Sequence, residues 1–230
     1  MSEVNKSAAF RFAVVCVSLS VLIGCAAVNI EKTKQAAKQG DPASQFQIGT
    51  AYDSGRGETR DFKEAAKWYR AAAEQGHAEA QNSLGSLYQA GEGVPKNYEM
   101  AKMWYEKAAN QGNAMAKNNL AYMYDLGLGV PASPKVAAQL YNEAAEQGEL
   151  TAMMNLGILL TQGKPEVEND YMEAYKWLEL VRFYTISSKD MTLKWRVRGE
   201  LDKLSGLLTQ AQIEEEKKRA EQWDQSHRKR

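Results

Sequence analysis

The chain carries two thiols and two imidazoles, Cys16, Cys25, His77 and His227. Thiolate metal sites and disulfide frameworks need several cysteines spread through the fold, yet nothing after Cys25 could pair with either cysteine, so both are excluded. The two histidines are too few and too separated in sequence to argue for a metal centre, and both read as surface residues. Serine, histidine and aspartate all occur, but no local signature of an activated nucleophile surrounds any serine. Gly91-Glu92-Gly93 has the look of a phosphate loop. No strand precedes it, no third glycine follows, and the pattern recurs at Gly55 and Gly127, which makes it a turn between helices. The composition gives no cofactor. Lysine plus arginine total 29 against 29 aspartate plus glutamate, so no basic excess points to nucleic acid.

The thiol at Cys25 has a better use. The first 24 residues run from Lys6 and Arg11 through an apolar stretch from Phe12 to Ile23 to the small Gly24, the layout of a secretory signal peptide. That stretch is well short of the roughly 20 residues that span a bilayer as a helix, although reading on through Ala26, Ala27 and Val28 keeps an uncleaved anchor open. Leu22-Ile23-Gly24-Cys25 resembles the lipobox of bacterial lipoproteins. The resemblance implies loss of residues 1–24, fatty acylation of Cys25 by chains such as palmitate, and attachment to the bacterial cell envelope; two or more chains anchor stably where one is marginal. Ala26 stands where inner-membrane lipoproteins often carry aspartate, which implies the outer membrane, facing the periplasm. The plainer reading, Cys25 as a small residue ending a signal sequence, stays open. The mature chain would keep 27 basic and 28 acidic residues.

Internal repetition organises the rest. Gln-Gly recurs at 39–40, 75–76, 111–112 and 147–148, a period of 36 residues. The register holds at Gly49, Gly85, Ala121 and Gly157, at Tyr52, Tyr88, Tyr124 and Leu160, and at Gly55, Gly91, Gly127 and Gly163. Ala65, Ala101 and Ala137 align with Ala174, and Trp68, Trp104 and Leu140 with Trp177, once a single insertion near 164–169 is allowed. Within a unit, Ala80, Leu84, Leu87 and Tyr88 mark one apolar helix face and Ala101, Trp104, Tyr105 and Ala108 a second. Asp61, Asn97, Ser133 and Asp170 open the second helices as N-caps, with Glu64 and Glu173 three places on and Pro134 at a first helical position. A glycine inside a helix costs roughly 1 kcal/mol relative to alanine, so its return at 49, 85 and 157 predicts close approach of the paired helix. Helix pairs of this kind bury both faces only by stacking.

The stretch AAAEQGHAEAQNSLGSLYQAGEGVPKNYEMAKMWYE, residues 71–106, resembles a Sel1-like repeat, a tetratricopeptide relative. The resemblance implies an all-α fold, an α/α solenoid of four Sel1-like helix pairs over residues 36–180. Residues 25–35 form a lipid-anchored linker and the start of a leading helix. Residues 181–230 form C-terminal capping helices and a frayed basic tail; there Leu201, Leu204, Leu207 and Leu208 mark an apolar set and Thr209 with Gln212 a capping box. Unit four departs most from the pattern, by its insertion, a missing loop glycine, and Leu178 in place of tyrosine.

Aromatic residues at 52, 68, 69, 88, 104, 105, 124, 141 and 177 fall in helical register, which favours core packing over base or sugar stacking. The opposite face of the first helices varies between units: Phe46, Thr50 and Asp53; Asn82, Ser86 and Gln89; Asn118, Tyr122 and Asp125; Met154, Ile158 and Thr161. In tetratricopeptide-like stacks this face lines the concave groove. Phe46, Tyr122, Met154 and Ile158 are apolar there, as a ligand surface requires; packing between repeats or under the terminal helices explains them equally. The resemblance implies a non-enzymatic lipoprotein whose groove binds an envelope protein or extended peptide. The alternatives are an assembly scaffold without a groove ligand and a β-lactamase-like hydrolase. The last is the activity assigned to cysteine-rich relatives whose repeats carry paired cysteines, which this chain lacks.

Overall fold

The computed structural model describes residues 31–186 and 191–227, so Cys16, Cys25 and the signal segment 1–24 lie outside the described residues. The described chain is helical, with no strand and one isolated bridge between Lys164 and Val167. It forms two compact units that meet in sequence at Pro95 and Lys96. The first holds α1 (31–38), α2 (Pro42–Ser54), α3 (Phe62–Glu74) and α4 (Ala78–Ala90). The second holds α5 (Tyr98–Asn110), α6 (Ala114–Leu126), α7 (Pro134–Ala145), α8 (Leu150–Gln162), α9 (Tyr171–Thr185), α10 (Met191–Ser205) and α11 (Gln210–His227).

Helices α2 to α9 and α11 begin where a side chain can satisfy a free amide of the first turn. Asp61 accepts from the amides of Lys63 and Glu64, Asn97 from Met100, Ser133 from Val136 and Asp170 from Glu173, as the sequence predicts. The first helices are capped too, by Asp41, His77, Asn113 and Glu149, one every 36 residues. His77 is therefore no idle surface residue: its Nδ1 accepts from the Ala80 amide at 3.3 Å, and its ring stacks on Phe46 at 4.8 Å. The recurrent glutamine of Gln-Gly closes the second helices, donating from Nε2 of Gln75, Gln111 and Gln147 to the carbonyls of Ala71, Lys107 and Glu143. Gly55, Gly91 and Gly127 end the first helices at φ of 72°, 81° and 69°, the left-handed conformation that glycine adopts without strain.

The glycine inside the first helices has the cause the periodicity implies. A Cβ on Gly49 would lie 2.6 Å from the Tyr69 ring, and one on Gly157 2.7 Å from Leu178 Cγ. The interior mixes small and large: Ala65, Ala72, Ala73 and Ala80 are buried with Tyr69 in the first unit, and Ala137, Ala144, Ala152 and Ala174 share one core cluster with Tyr141 and Trp177 in the second. Such a mixture fills space without voids.

Both α10 and α11 pack on α9 and close the second unit. Val197, Leu201 and Leu204 are buried, but α10 ends at Ser205, so Leu207 leaves the apolar face and stands exposed. Thr209 and Gln212 form the reciprocal capping box, with the Thr209 amide donating to Gln212 Oε1 at 2.9 Å and the Gln212 amide to Thr209 Oγ1 at 3.4 Å. Farther along α11, the fully buried Glu216 is held by Arg219, which also bonds Glu173 at 2.8 Å. Trp223 crosses Trp177 edge-on, stacks on His227 and donates from Nε1 to Glu146 at 3.0 Å.

Candidate functional site

In the second unit the variable face combines α6 and α8. Asn118 is buried and accepts at Oδ1 from Asn155 Nδ2 at 3.1 Å. Four residues on, the Tyr122 ring is 40% exposed. Asp125 follows and pairs with Lys164 at 2.6 Å. That lysine comes from the insertion of unit four. Gly163 caps α8, Asn169 Nδ2 donates to the Thr161 carbonyl at 2.8 Å, and Glu166 takes a φ of 65°, so the 163–169 loop doubles back and presents Lys164 to α6. Beneath this surface, burial first and then the Asp125 and Tyr122 side chains hold the Tyr141 hydroxyl in its neutral form.

The predicted apolar anchors separate here. Met154 is 6% exposed and belongs to the core, and Ile158 packs against that core. At these two positions packing is the explanation. Of the three predicted apolar residues on α6 and α8, Tyr122 alone opens to water as a binding surface would.

In the first unit Phe46 is half-buried between Tyr69 and His77, with ring centroids at 5.7 and 4.8 Å. The Tyr69 hydroxyl donates to Asp53 at 3.0 Å and lies 3.4 Å from Thr50 Oγ1, so these two predicted face residues are tied to the core tyrosine. Burial, opposed by the Thr50 contact and reinforced by the Asp53 charge, pushes the Tyr69 hydroxyl up to about 12. On α4, Asn82 is buried, while Ser86 donates to the Asn82 carbonyl at 3.2 Å and Gln89 is half-buried. In each unit the first-helix face is thus mainly polar and ordered by hydrogen bonds, and in the second it carries the exposed Tyr122. Asn155 and Lys164 escape a reading by periodicity, Asn155 because it sits beside the face and Lys164 because it lies in the irregular loop. Among the described residues no three His, Cys, Asp or Glu side chains gather as a metal set, and no helix is long and apolar enough to cross a membrane.

The repeat geometry has a counterpart in known proteins. The Sel1 repeat model matches residues 42–77, 78–113, 114–149 and 150–180. The chain belongs to the Sel1-repeat family. Its four Sel1 repeats coincide with the 36-residue period and give the all-α solenoid class. A Sel1 repeat protein from Oxalobacter formigenes is similar at 30% identity and a TM-score of 0.62, with 88% of this chain and 84% of that one covered. A second similar structure is c5321, a protective antigen present in uropathogenic Escherichia coli strains displaying an SLR fold, at 28% identity and a TM-score of 0.50. There 85% of this chain is covered but only 48% of that one, so the chain spans about half its length. Comparison with curated proteins returns no match. Sel1 repeats generally mediate protein–protein interaction.

Proposed function

We propose that this Sel1-repeat protein is a lipid-anchored component of the bacterial envelope, held through Cys25 and binding another protein or an extended peptide on the first-helix face without catalysis. The exposed Tyr122, set between the Asn118–Asn155 bond and the Asp125–Lys164 pair, supports the binding part of this reading, and the lipobox-like Leu22-Ile23-Gly24-Cys25 the anchor. An exposed aromatic on a rigid, hydrogen-bonded base is the arrangement that hot spots favour, because little side-chain freedom is lost on binding. The test is recovery of a crosslinked partner from intact envelopes. Tyr122→Ala should reduce recovery, whereas Lys63→Ala and Lys102→Ala on the other helices should not. The reverse pattern would place the binding surface elsewhere. A second reading, an assembly scaffold with no groove ligand, draws support from Met154 and Ile158, whose packing into the core removes two of the four apolar anchors.

A further inference from the structure

The end of the second unit has a surface the repeats do not share. Nine large hydrophobic residues are exposed among the described residues, and six of them fall between Phe183 and Leu207. Three of the six, Ile186, Met191 and Trp195, are 66%, 54% and 63% exposed and wall the mouth of a hollow of about 660 Å³ between α9, α10 and α11. Its floor is formed by buried Tyr175, Val197 and Leu201. Among the described residues the lining carries four cations, Arg182, Lys194, Arg198 and Lys217, against two carboxylates, Glu179 and Asp202, and Lys194 donates to the Ile186 carbonyl at 2.8 Å. In a chain whose formal charge is zero, this is a local positive excess. The cations differ in how far they are committed. Arg182 is chelated by Glu179, and Lys217 bonds Glu214 at 3.0 Å. Arg198 is 70% exposed, 3.8 Å from Asp202, and its guanidinium lies 5.8 Å from the Trp195 ring centroid. An indole and a guanidinium are thus presented side by side at the mouth.

We propose that this hollow docks an acidic peptide segment of a partner protein, which inserts one bulky apolar side chain between Ile186, Met191 and Trp195 and sets its carboxylates against Arg198 and Lys194. The site is separate from the first-helix face and does not depend on it. Shape decides the class of occupant. A bilayer is planar and cannot enter a hollow of about 660 Å³, whereas a peptide can insert one bulky side chain and lay its neighbouring residues into the remaining space. A free fatty acid would leave much of its tail in water between walls that are more than half exposed, while small-ligand sites bury roughly 70–90% of their ligand. A peptide continues past the mouth and covers those walls itself. Charge complementarity then sets sign and orientation, and weakens with salt.

The experiment is a fluorescence-anisotropy titration of the purified full chain with a labelled synthetic peptide of glutamates and aspartates around one Leu-Phe pair. Its controls are a version with lysines for the acids and a version with serines for Leu-Phe. The acidic peptide should bind and both controls should fail. Trp195→Ala and Arg198→Glu, both at exposed positions that spare the core, should weaken binding by about thirtyfold or more, as loss of a hot-spot anchor does, with the melting temperature unchanged. Tyr122→Ala should bind the peptide as the parent does, which separates this site from the first-helix face. The proposal falls if the acidic peptide does not bind or binds Trp195→Ala equally well. It also falls if phosphatidylglycerol vesicles or laurate bind through Trp195 and Arg198 when the peptide does not.

Discussion

Gly49→Ala is the sharpest test of how these helix pairs are held together. In an isolated helix the change gains about 1 kcal/mol from backbone propensity. Here the new Cβ would sit 2.6 and 2.7 Å from Tyr69 Cδ1 and Cε1, against a favourable carbon–carbon separation of about 3.5–4.0 Å. The ring, 2% exposed, must retreat by about 1 Å. Retreat of that size carries its hydroxyl out of hydrogen-bond range of Asp53, now 3.0 Å away. Overpacking costs about 1–3 kcal/mol, and the lost bond to a charged acceptor about 1.5–3 kcal/mol. These outweigh the propensity gain, so the net effect should be a loss of about 1.5–5 kcal/mol. Urea unfolding followed by far-ultraviolet circular dichroism would show it as a lower midpoint at unchanged slope. In a Tyr69→Ala background the obstruction is gone, and the same substitution should become stabilising. A stabilised Gly49→Ala in the parent, or an equal effect in both backgrounds, would refute the close-crossing argument.

Other outcomes follow from the same geometry. His77→Ala removes the α4 N-cap and the stacked partner of Phe46, so it should lower stability by about 1 kcal/mol, while His77→Asn, which keeps a capping acceptor, should recover part of that in urea titrations. With its hydroxyl raised to about 12 from 10.0 in the unfolded chain, Tyr69 contributes stability that is complete below pH 10 and lost as pH rises through 12; the parent should therefore lose stability more steeply than Tyr69→Phe over that window. Cys25→Ser should abolish fatty-acid labelling and release the chain from membranes, and label persisting on Cys16 would overturn the anchor.

The repeat register was legible because it rests on chain-local demands: a stop at Gly91, a cap at Asn97, space at Gly49. Each needs a small set of similar residue types at one offset. The first-helix caps were hidden by chemistry rather than position, since Asp41, His77, Asn113 and Glu149 do one task with four different side chains. The variable face was legible only as a set of candidates. A helical period puts Met154 and Tyr122 on one face, but Met154 shares the register of the buried Asn82 and Asn118, whereas Tyr122 lies one turn on and is exposed. Lys164 was illegible for a related reason: its partner Asp125 is 39 residues away, and the loop that joins them breaks the very pattern used to read the chain.

The bond from Trp223 to Glu146 spans 77 residues, more than two full repeats. Contacts in a repeat array otherwise join near neighbours, which lets such chains form quickly and in pieces. This one imposes an order of events during synthesis. The flank of α9 that α11 covers stays open until α11 has been made, and the 47 residues from Leu180 to His227 take about 2–10 s to add at roughly 5–20 residues per second. For that interval the nascent chain exposes a sticky end, and a truncation anywhere in α11 would make the exposure permanent.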